Sequence, residues 1–251
     1  MNRKRYLIVT AAGHGTRMGA AVPKQFLEFE GKPVLRRTIE RFLSADPNIK
    51  IVTVLPSDYL EDWKHICLES NLVIPQNLVP GGITRFHSVK NALERIPDDA
   101  IVAIHDGVRP LVSEKLIQRM FDKMDSGVRA LIPVIPMVDT LKAVRKVNVD
   151  GEEVLETIPD VQIDRSTVYG AQTPQMFYSE EIKAAYHPDN AHEDGIVEYE
   201  LGQPVYECVN QASFFLSNIS HGPAPWLHPS LDLGAGPSCS IYFPQWLKVA
   251  G

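Results

Sequence analysis

Four short apolar runs, Tyr6–Thr10, Ile49–Leu55, Ala100–His105 and Arg129–Ile135, are separated by segments whose apolar residues keep helical spacing. Leu35, Ile39, Phe42 and Leu43 fall on one helical face, and so do Val89, Ala92, Leu93 and Ile96. Tyr59–Ser70 reads as a helix, Leu72–Val79 as mostly extended, and Ser113 as the N-cap of a helix reaching about Ser126. Buried strands alternating with amphipathic helices predict an α/β fold, a mostly parallel sheet with helices on both faces. Residues 136–165 break that rhythm. A Val-Asn-Val-Asp-Gly turn signal at 147–151, flanked by β-rich stretches, predicts a hairpin arm projecting from the sheet.

A chain of 251 residues can bury roughly 70–75% of its unfolded surface. Length alone allows one α/β domain or two small ones; we read residues 1–251 as a single domain carrying the arm at about 136–165 and an atypical tail at about 210–251. Cys67, Cys208 and Cys239 have no metal-ligand spacing and no even framework, which suggests a reducing compartment without zinc or disulfides. No apolar run approaches 18 residues, so the expectation is a soluble, cytoplasmic protein with no membrane partner. The net charge of −6 argues against general nucleic-acid binding. Residues 1–50 nevertheless carry ten Lys/Arg against four Asp/Glu, a local excess that suits an anionic ligand or a solvated basic face.

That excess surrounds a glycine loop, VTAAGHGTRM at 9–18, with Pro23-Lys24 beyond it. No Lys-Ser/Thr pair follows the glycines at the spacing of a Walker loop. A dinucleotide fingerprint, and with it a dinucleotide-dependent oxidoreductase, would need a glycine where Met18 stands. What remains is a loop stripped of side chains at Ala11, Ala12, Gly13 and Gly15, so that backbone N–H groups can face phosphate oxygens. Arg17 can fork onto those oxygens and Lys24 adds a point charge. The same residues also read as a tight turn with two surface cations. Two further segments point the same way. PGGITRFHSV at 80–89 is a glycine turn opening a helix, with Arg85 and Ser88 near its start. HDGVRP at 105–110 ends a strand with an acid, where open parallel sheets bind ligands. Asp106 can hold Mg2+ through an oxygen, or cap a helix. His14, His87, His105 and His192 fit no triad or HExxH spacing and read as structural.

AAGHGTRM with its Pro-Lys, PGGITRFHSV, HDGVRP, Asp139-Thr-Leu-Lys142 and Arg165 followed by Gln172-Thr-Pro-Gln-Met-Phe177 occur in one order over about residues 5–206. In these motifs the chain resembles the 2-C-methyl-D-erythritol 4-phosphate cytidylyltransferase family. It is nearly as similar to the sister ribitol-5-phosphate cytidylyltransferases. The resemblance implies a Rossmann-like nucleotidyltransferase fold, CTP as donor, Mg2+, a polyol phosphate as acceptor and a homodimer joined through the arm. It assigns triphosphate contacts to Gly13, Gly15, Arg17 and Lys24, and cytosine contacts to Ala11, Ala12, Gly82 and Ser88. Asp106 matches the metal-binding acid and Gly107 a ribose position, with Arg109 in a neighbouring structural place. Thr140, Arg165 and Thr173 match residues holding the acceptor's phosphate, Thr140 and Arg165 from the partner's arm. Arg17, Lys24 and Arg165 are thus the expected catalytic cations.

The chain departs from the family pattern in places. Ile83 stands where many members carry Asp, and Ala191-His-Glu-Asp-Gly195 only approximates a Thr-Asp-Asp/Glu-Ala-Ser segment. Ser220 occupies the place of a lysine in Asn-Ile-Lys, and Asp232 and Lys248 are the only charges from Asn210 onward. A shift of reading frame near residue 219 or earlier would produce that change. These departures keep a catalytically impaired nucleotide-binding homologue as an alternative.

Overall fold

The computed structural model describes residues 3–13, 22–186 and 206–209. The chain starts in the middle of its sheet. Strand β1 (Lys4–Thr10) pairs in parallel with β4 (Lys50–Leu55) on one side and β6 (Ala100–Asp106) on the other. Strand β5 (Gln76–Pro80) extends the sheet beyond β4, again in parallel. Its other half is built on β7 (Ala130–Pro136), which takes β12 (Tyr206–Val209) as a parallel neighbour. Between β7 and β6 runs the antiparallel stretch β10 (Tyr169–Ala171) and β11 (Gln175–Tyr178). Ala171 faces Val134 while Met176 faces Leu131, so this stretch holds two residues more than the segment of β7 it spans. That slip is a bulge at Gln172–Pro174, and the Thr173–Pro174 peptide is cis. A two-residue ladder, β2 (Glu28–Phe29) with β3 (Lys32–Pro33), lies apart from the sheet.

Side chains alternate across β1 and so divide between two cores. Leu7 and Val9 join α1 (Val34–Ala45), Trp63 of α2 (Leu60–Glu69) and α4 (Glu114–Asp125) in one cluster. Ile8 joins α3 (Arg85–Leu93) and α5 (Ser179–Ala185) in the other. The predicted two-faced α/β layering is thus present, with an antiparallel strand inserted. The helix after Ser113 forms as expected, with the Ser113 hydroxyl accepting from the Leu116 N–H at 3.2 Å. Helix α3 stops at Leu93, before Ile96, which is buried beyond the helix end.

The segment read as an arm is a hairpin, β8 (Val144–Val149) with β9 (Glu152–Thr157), that pairs only with itself. Its turn is Asp150-Gly151, with φ of 52° and 89°, the left-handed pair that a two-residue hairpin loop requires. No helix among the described residues is long and apolar enough to cross a membrane.

One buried polar contact ties α1 to the end of β6. The Thr38 hydroxyl lies 2.9 Å from the Gly107 carbonyl and 3.0 Å from that of Val34, and shares its proton between them. Gly107 can carry no side chain, since a Cβ would sit 2.9 Å from that of Ala11 and 3.0 Å from Leu35 Cδ1. Thr38→Val keeps the shape and leaves the Gly107 carbonyl without its donor. We expect a loss of about 1–3 kcal/mol in unfolding free energy, measured by urea titration against the native chain.

Candidate active site

Strands β1 and β6 are neighbours, but the chain leaves β1 towards β4 and β5 and returns across it to β6. The crevice beyond their carboxyl ends is a topological switch point, where open α/β sheets bind ligands. Register puts Thr10 beside Asp106 there. Arg109 holds Asp106 Oδ2 through its Nε at 2.7 Å. Around Oδ1 stand an Arg85 guanidinium nitrogen at 3.5 Å and the Thr10 hydroxyl at 3.3 Å. Burial alone would raise the Asp106 pKa; the charges of Arg109 and then Arg85 outweigh it and hold the carboxyl below its usual range. Asp106 therefore ends a strand as an ionised acid. It caps no helix, since the next one starts at Glu114 with Ser113 as its cap.

The other glycine turn closes onto the β1 loop. Ala11 donates its N–H to Val54 and Gly81 its N–H to Leu55, at 2.9 and 2.7 Å. A Cβ on Gly81 would lie 2.4 Å from that of Ala12, so only glycine lets the two loops approach this closely. Ser88 is buried; its hydroxyl accepts from the Gly82 N–H and donates to the Thr84 carbonyl, both at 3.0 Å. The serine braces the turn, and one lone pair of its oxygen remains. Ile83, at the place of the family's acid, is 96% exposed.

His105 is wholly buried between two partners. A carbonyl can only accept, so the contact at 3.1 Å to the Arg109 oxygen places the ring proton on Nε2. Nδ1 then offers a lone pair, and the Thr173 hydroxyl donates to it at 2.9 Å. Burial pushes the ring pKa down to about 4, so the histidine is neutral. The Thr173 proton is thereby committed inwards. A phosphate dianion needs donors, and this hydroxyl as it stands has only lone pairs left to give. Next to it, Gln172 accepts from the Arg109 guanidinium at 3.2 Å.

The structure brings Ala11, Ala12, Gly82, Ser88, Asp106, Gly107 and Thr173 around neighbouring strand ends and turns. Gly13 is exposed just past β1, and Lys24 opens a short 3-10 turn beyond the loop. Lys24 is half-buried, and among the described residues no ion pair engages its ammonium. Thr140 and Arg165 are exposed at the base of the arm, where Arg165 donates to the Val138 carbonyl at 2.9 Å. Gly15 and Arg17, and Ser220 with the rest of the tail, lie outside the described residues. Sequence reading noted Arg85 only as a cation at the second glycine turn, gave no site role to Gln172 or His105, and gave Arg109 only a structural place. The motif HDGVRP contained a signal for two of them, but the partner strand that gives them meaning is far along the chain.

Among the described residues no group of three or more His, Cys, Asp or Glu side chains could hold a metal ion. Asp106 alone still fits Mg2+, which commonly takes one or two carboxylates and completes its shell with phosphate oxygens and water. Its Oδ1, with only the longer contacts, is the oxygen such an ion could share. A cleft of about 810 Å³ lined by Trp63, Cys67, Gln76 and Arg95, among others, lies along α2 and β5 and shares no residue with this cluster.

The family model for 2-C-methyl-D-erythritol 4-phosphate cytidylyltransferase (IspD) matches residues 6–200. The chain belongs to this family. The cytidylyltransferase of that name from Azobacteroides pseudotrichonymphae is 41% identical over 184 residues, 73% of this chain and 78% of the relative. That from Porphyromonas gingivalis is 40% identical over 210 residues, 82% of this chain and 88% of the relative. Among solved structures, 4-diphosphocytidyl-2C-methyl-D-erythritol synthase from Anaerococcus prevotii superposes with a TM-score of 0.62 at 25% identity, over 84% of this chain and 89% of that one. The IspD cytidylyltransferase fold and the switch-point crevice thus coincide in one region of the chain.

The buried neutral histidine carries a pH signature. In the unfolded chain His105 titrates near 6.5, and in the folded chain near 4. Between those values the unfolded state holds the extra proton, so stability is greatest above pH 6.5 and drains away as pH falls towards 4. His105→Gln removes that titration. The stability advantage of the native chain over this variant should shrink by about 3 kcal/mol from pH 6.5 to 4, as read from denaturant unfolding at each pH.

Proposed function

We propose that this chain transfers CMP from CTP to the phosphate of 2-C-methyl-D-erythritol 4-phosphate, releasing pyrophosphate. The observation that carries the reading is the ionised Asp106, clamped by Arg109 at the switch point beside a side-chain-poor loop, inside the matched region. The methylerythritol name on the family model and on both relatives supports this acceptor over ribitol phosphate.

The acceptor phosphate has a second pKa of about 6, so near neutrality it is already a nucleophile and needs no general base. One of its oxygens attacks the α-phosphorus of CTP in line, and the bond to the bridging oxygen breaks. Pyrophosphate leaves with the electron pair. The obstacle is repulsion between anions, which the protein lowers with cations and positioning. Arg17 and Lys24 serve the triphosphate, and the N–H groups of Gly13 and Gly15 face its oxygens. The turn at Ala11, Ala12, Gly82 and Ser88 receives the base, while Asp106 and Gly107 border the ribose. Asp106 would hold Mg2+, which when bound offsets phosphate charge. The Thr173 hydroxyl, with its proton committed to His105, can accept from a hydroxyl of the acceptor. Cysteines without pairing spacing suit a cytoplasmic enzyme.

The reading includes a homodimer whose arms complete each other's sites with Thr140 and Arg165. A lone two-stranded hairpin is marginal in water. Around this one, Val138, Val144, Val149, Val154, Leu155 and Tyr169 are all exposed, with Val144 and Leu155 on one face of the hairpin and Val149 and Val154 on the other, apolar area that a second subunit gripping the arm would cover.

Lys24→Ala should lower turnover by roughly 10²-fold, the scale of one preorganised transition-state contact, with the thermal melt unchanged. Steady-state pyrophosphate release reads the first and calorimetry the second; a native rate would remove Lys24 from the site. Mixing Lys24→Ala with Arg165→Ala under subunit exchange should restore part of the activity, because each mixed dimer regains one intact site. No recovery despite demonstrated exchange would refute the shared site.

A further inference from the structure

The bulge at Gln172–Pro174 is fastened to the end of β6 at two points, and neither is a backbone ladder bond. The Thr173 hydroxyl reaches His105 Nδ1 at 2.9 Å, and the Arg109 guanidinium reaches Gln172 Oε1 at 3.2 Å. His105 continues the first link through Nε2 to the Arg109 carbonyl at 3.1 Å. His105, Gln172 and Thr173 are all buried, so each of these groups would stand unpaired if its partner were removed. The same Arg109 presents its Nε to Asp106 at 2.7 Å. A guanidinium is planar and rigid, so fixing one edge of it on Gln172 fixes the direction of the edge that faces the carboxylate.

We infer that His105 and Gln172 are positioning residues for nucleotidyl transfer. His105 sets the bulge that carries Thr173 and, through its other nitrogen, the turn that carries Asp106 and Arg109. Gln172 aims Arg109 at Asp106. Neither needs to touch a substrate. The inference rests on the cytidylyltransferase reading and adds to it: one buried ring couples the acceptor side of the crevice to its nucleotide side.

The two nitrogens of His105 can be tested apart. Glutamine carries its amide near the place of Nε2, so His105→Gln keeps the donor to the Arg109 carbonyl and releases Thr173. Asparagine carries its amide near the place of Nδ1, so His105→Asn keeps the acceptor for Thr173 and releases Arg109. Gln172→Ala removes the Oε1 acceptor from one edge of the guanidinium and leaves its contact with Asp106. The full-length chain and these variants are assayed with Mg2+ while CTP and methylerythritol phosphate are varied separately, and CTP affinity is measured by calorimetry. His105→Gln should raise KM for the acceptor about tenfold with KM for CTP within about twofold. His105→Asn and Gln172→Ala should do the reverse and weaken CTP binding about tenfold.

Equal changes in both KM values for all three variants, or native values throughout, would overturn the inference. Should the histidine variants lose a cooperative melt, Gln172→Ala decides: an unaltered CTP affinity there counts against it. An inactive native chain would instead refute the cytidylyltransferase reading. The CTP affinities of His105→Asn and Gln172→Ala would still decide the nucleotide half of the coupling.

Discussion

An ionised carboxylate at a partly buried strand end is costly unless cations stand on it, and Asp106 has Arg109 at 2.7 Å and Arg85 at 3.5 Å. The two arginines come from different elements: Arg109 from the turn after β6, Arg85 from the first position of α3. To satisfy one acid, the fold must therefore bring the β6 end and the β5–α3 turn together. That approach is possible because Gly81 and Gly107 leave no Cβ between the loops and strands that meet there. The crevice is consequently not a gap left between elements. It is where three chain segments converge on one charge.

Much of this convergence was legible along the chain. The strands announced themselves as short apolar runs, and their alternation with helical periodicity gave the layered α/β sheet. Ser113 marked a helix start, and Asp150-Gly151 marked a hairpin turn, because both signals are local: a hydroxyl two or three residues from an N–H, and backbone angles that few residues tolerate. The glycine turns and Asp106 were visible as candidates, although a stripped loop also reads as a tight turn and an acid at a strand end as a helix cap.

The remainder depended on partners too distant in sequence to pair by inspection. Thr38 meets Gly107 across 69 positions, Arg109 meets Gln172 across 63, and His105 meets Thr173 across 68. Nothing near His105 says that its ring will be enclosed by an antiparallel strand inserted beside β6. The reading of the sheet as mostly parallel held for β1, β4, β5 and β6 and was silent on the bulge. A bulge is a mismatch between two strands, so neither strand contains it alone. Ser88 illustrates a different limit. The family resemblance gave it a contact with the base and said nothing of its bracing role, in which its hydroxyl accepts from Gly82 and donates to Thr84 with one lone pair left over.

A site that joins a phosphate to a triphosphate gains from every positive charge near the reacting phosphorus, yet the histidine next to Asp106 is kept neutral. Burial supplies the reason. A charged ring there would lose its hydration, and that cost outweighs the attraction of the Arg109 carbonyl and of Asp106, with the guanidiniums of Arg109 and Arg85 opposing the cation further. A charged ring would also carry protons on both nitrogens, and the Thr173 hydroxyl could no longer donate to Nδ1. Neutrality is thus what lets His105 serve as a two-ended brace, donor on one side and acceptor on the other. The division of labour follows from that chemistry. Among the described residues of this cluster, the standing positive charges beside Asp106 are left to Arg109 and Arg85, while the ring keeps a fixed tautomer that ties the Thr173 hydroxyl to the Arg109 carbonyl.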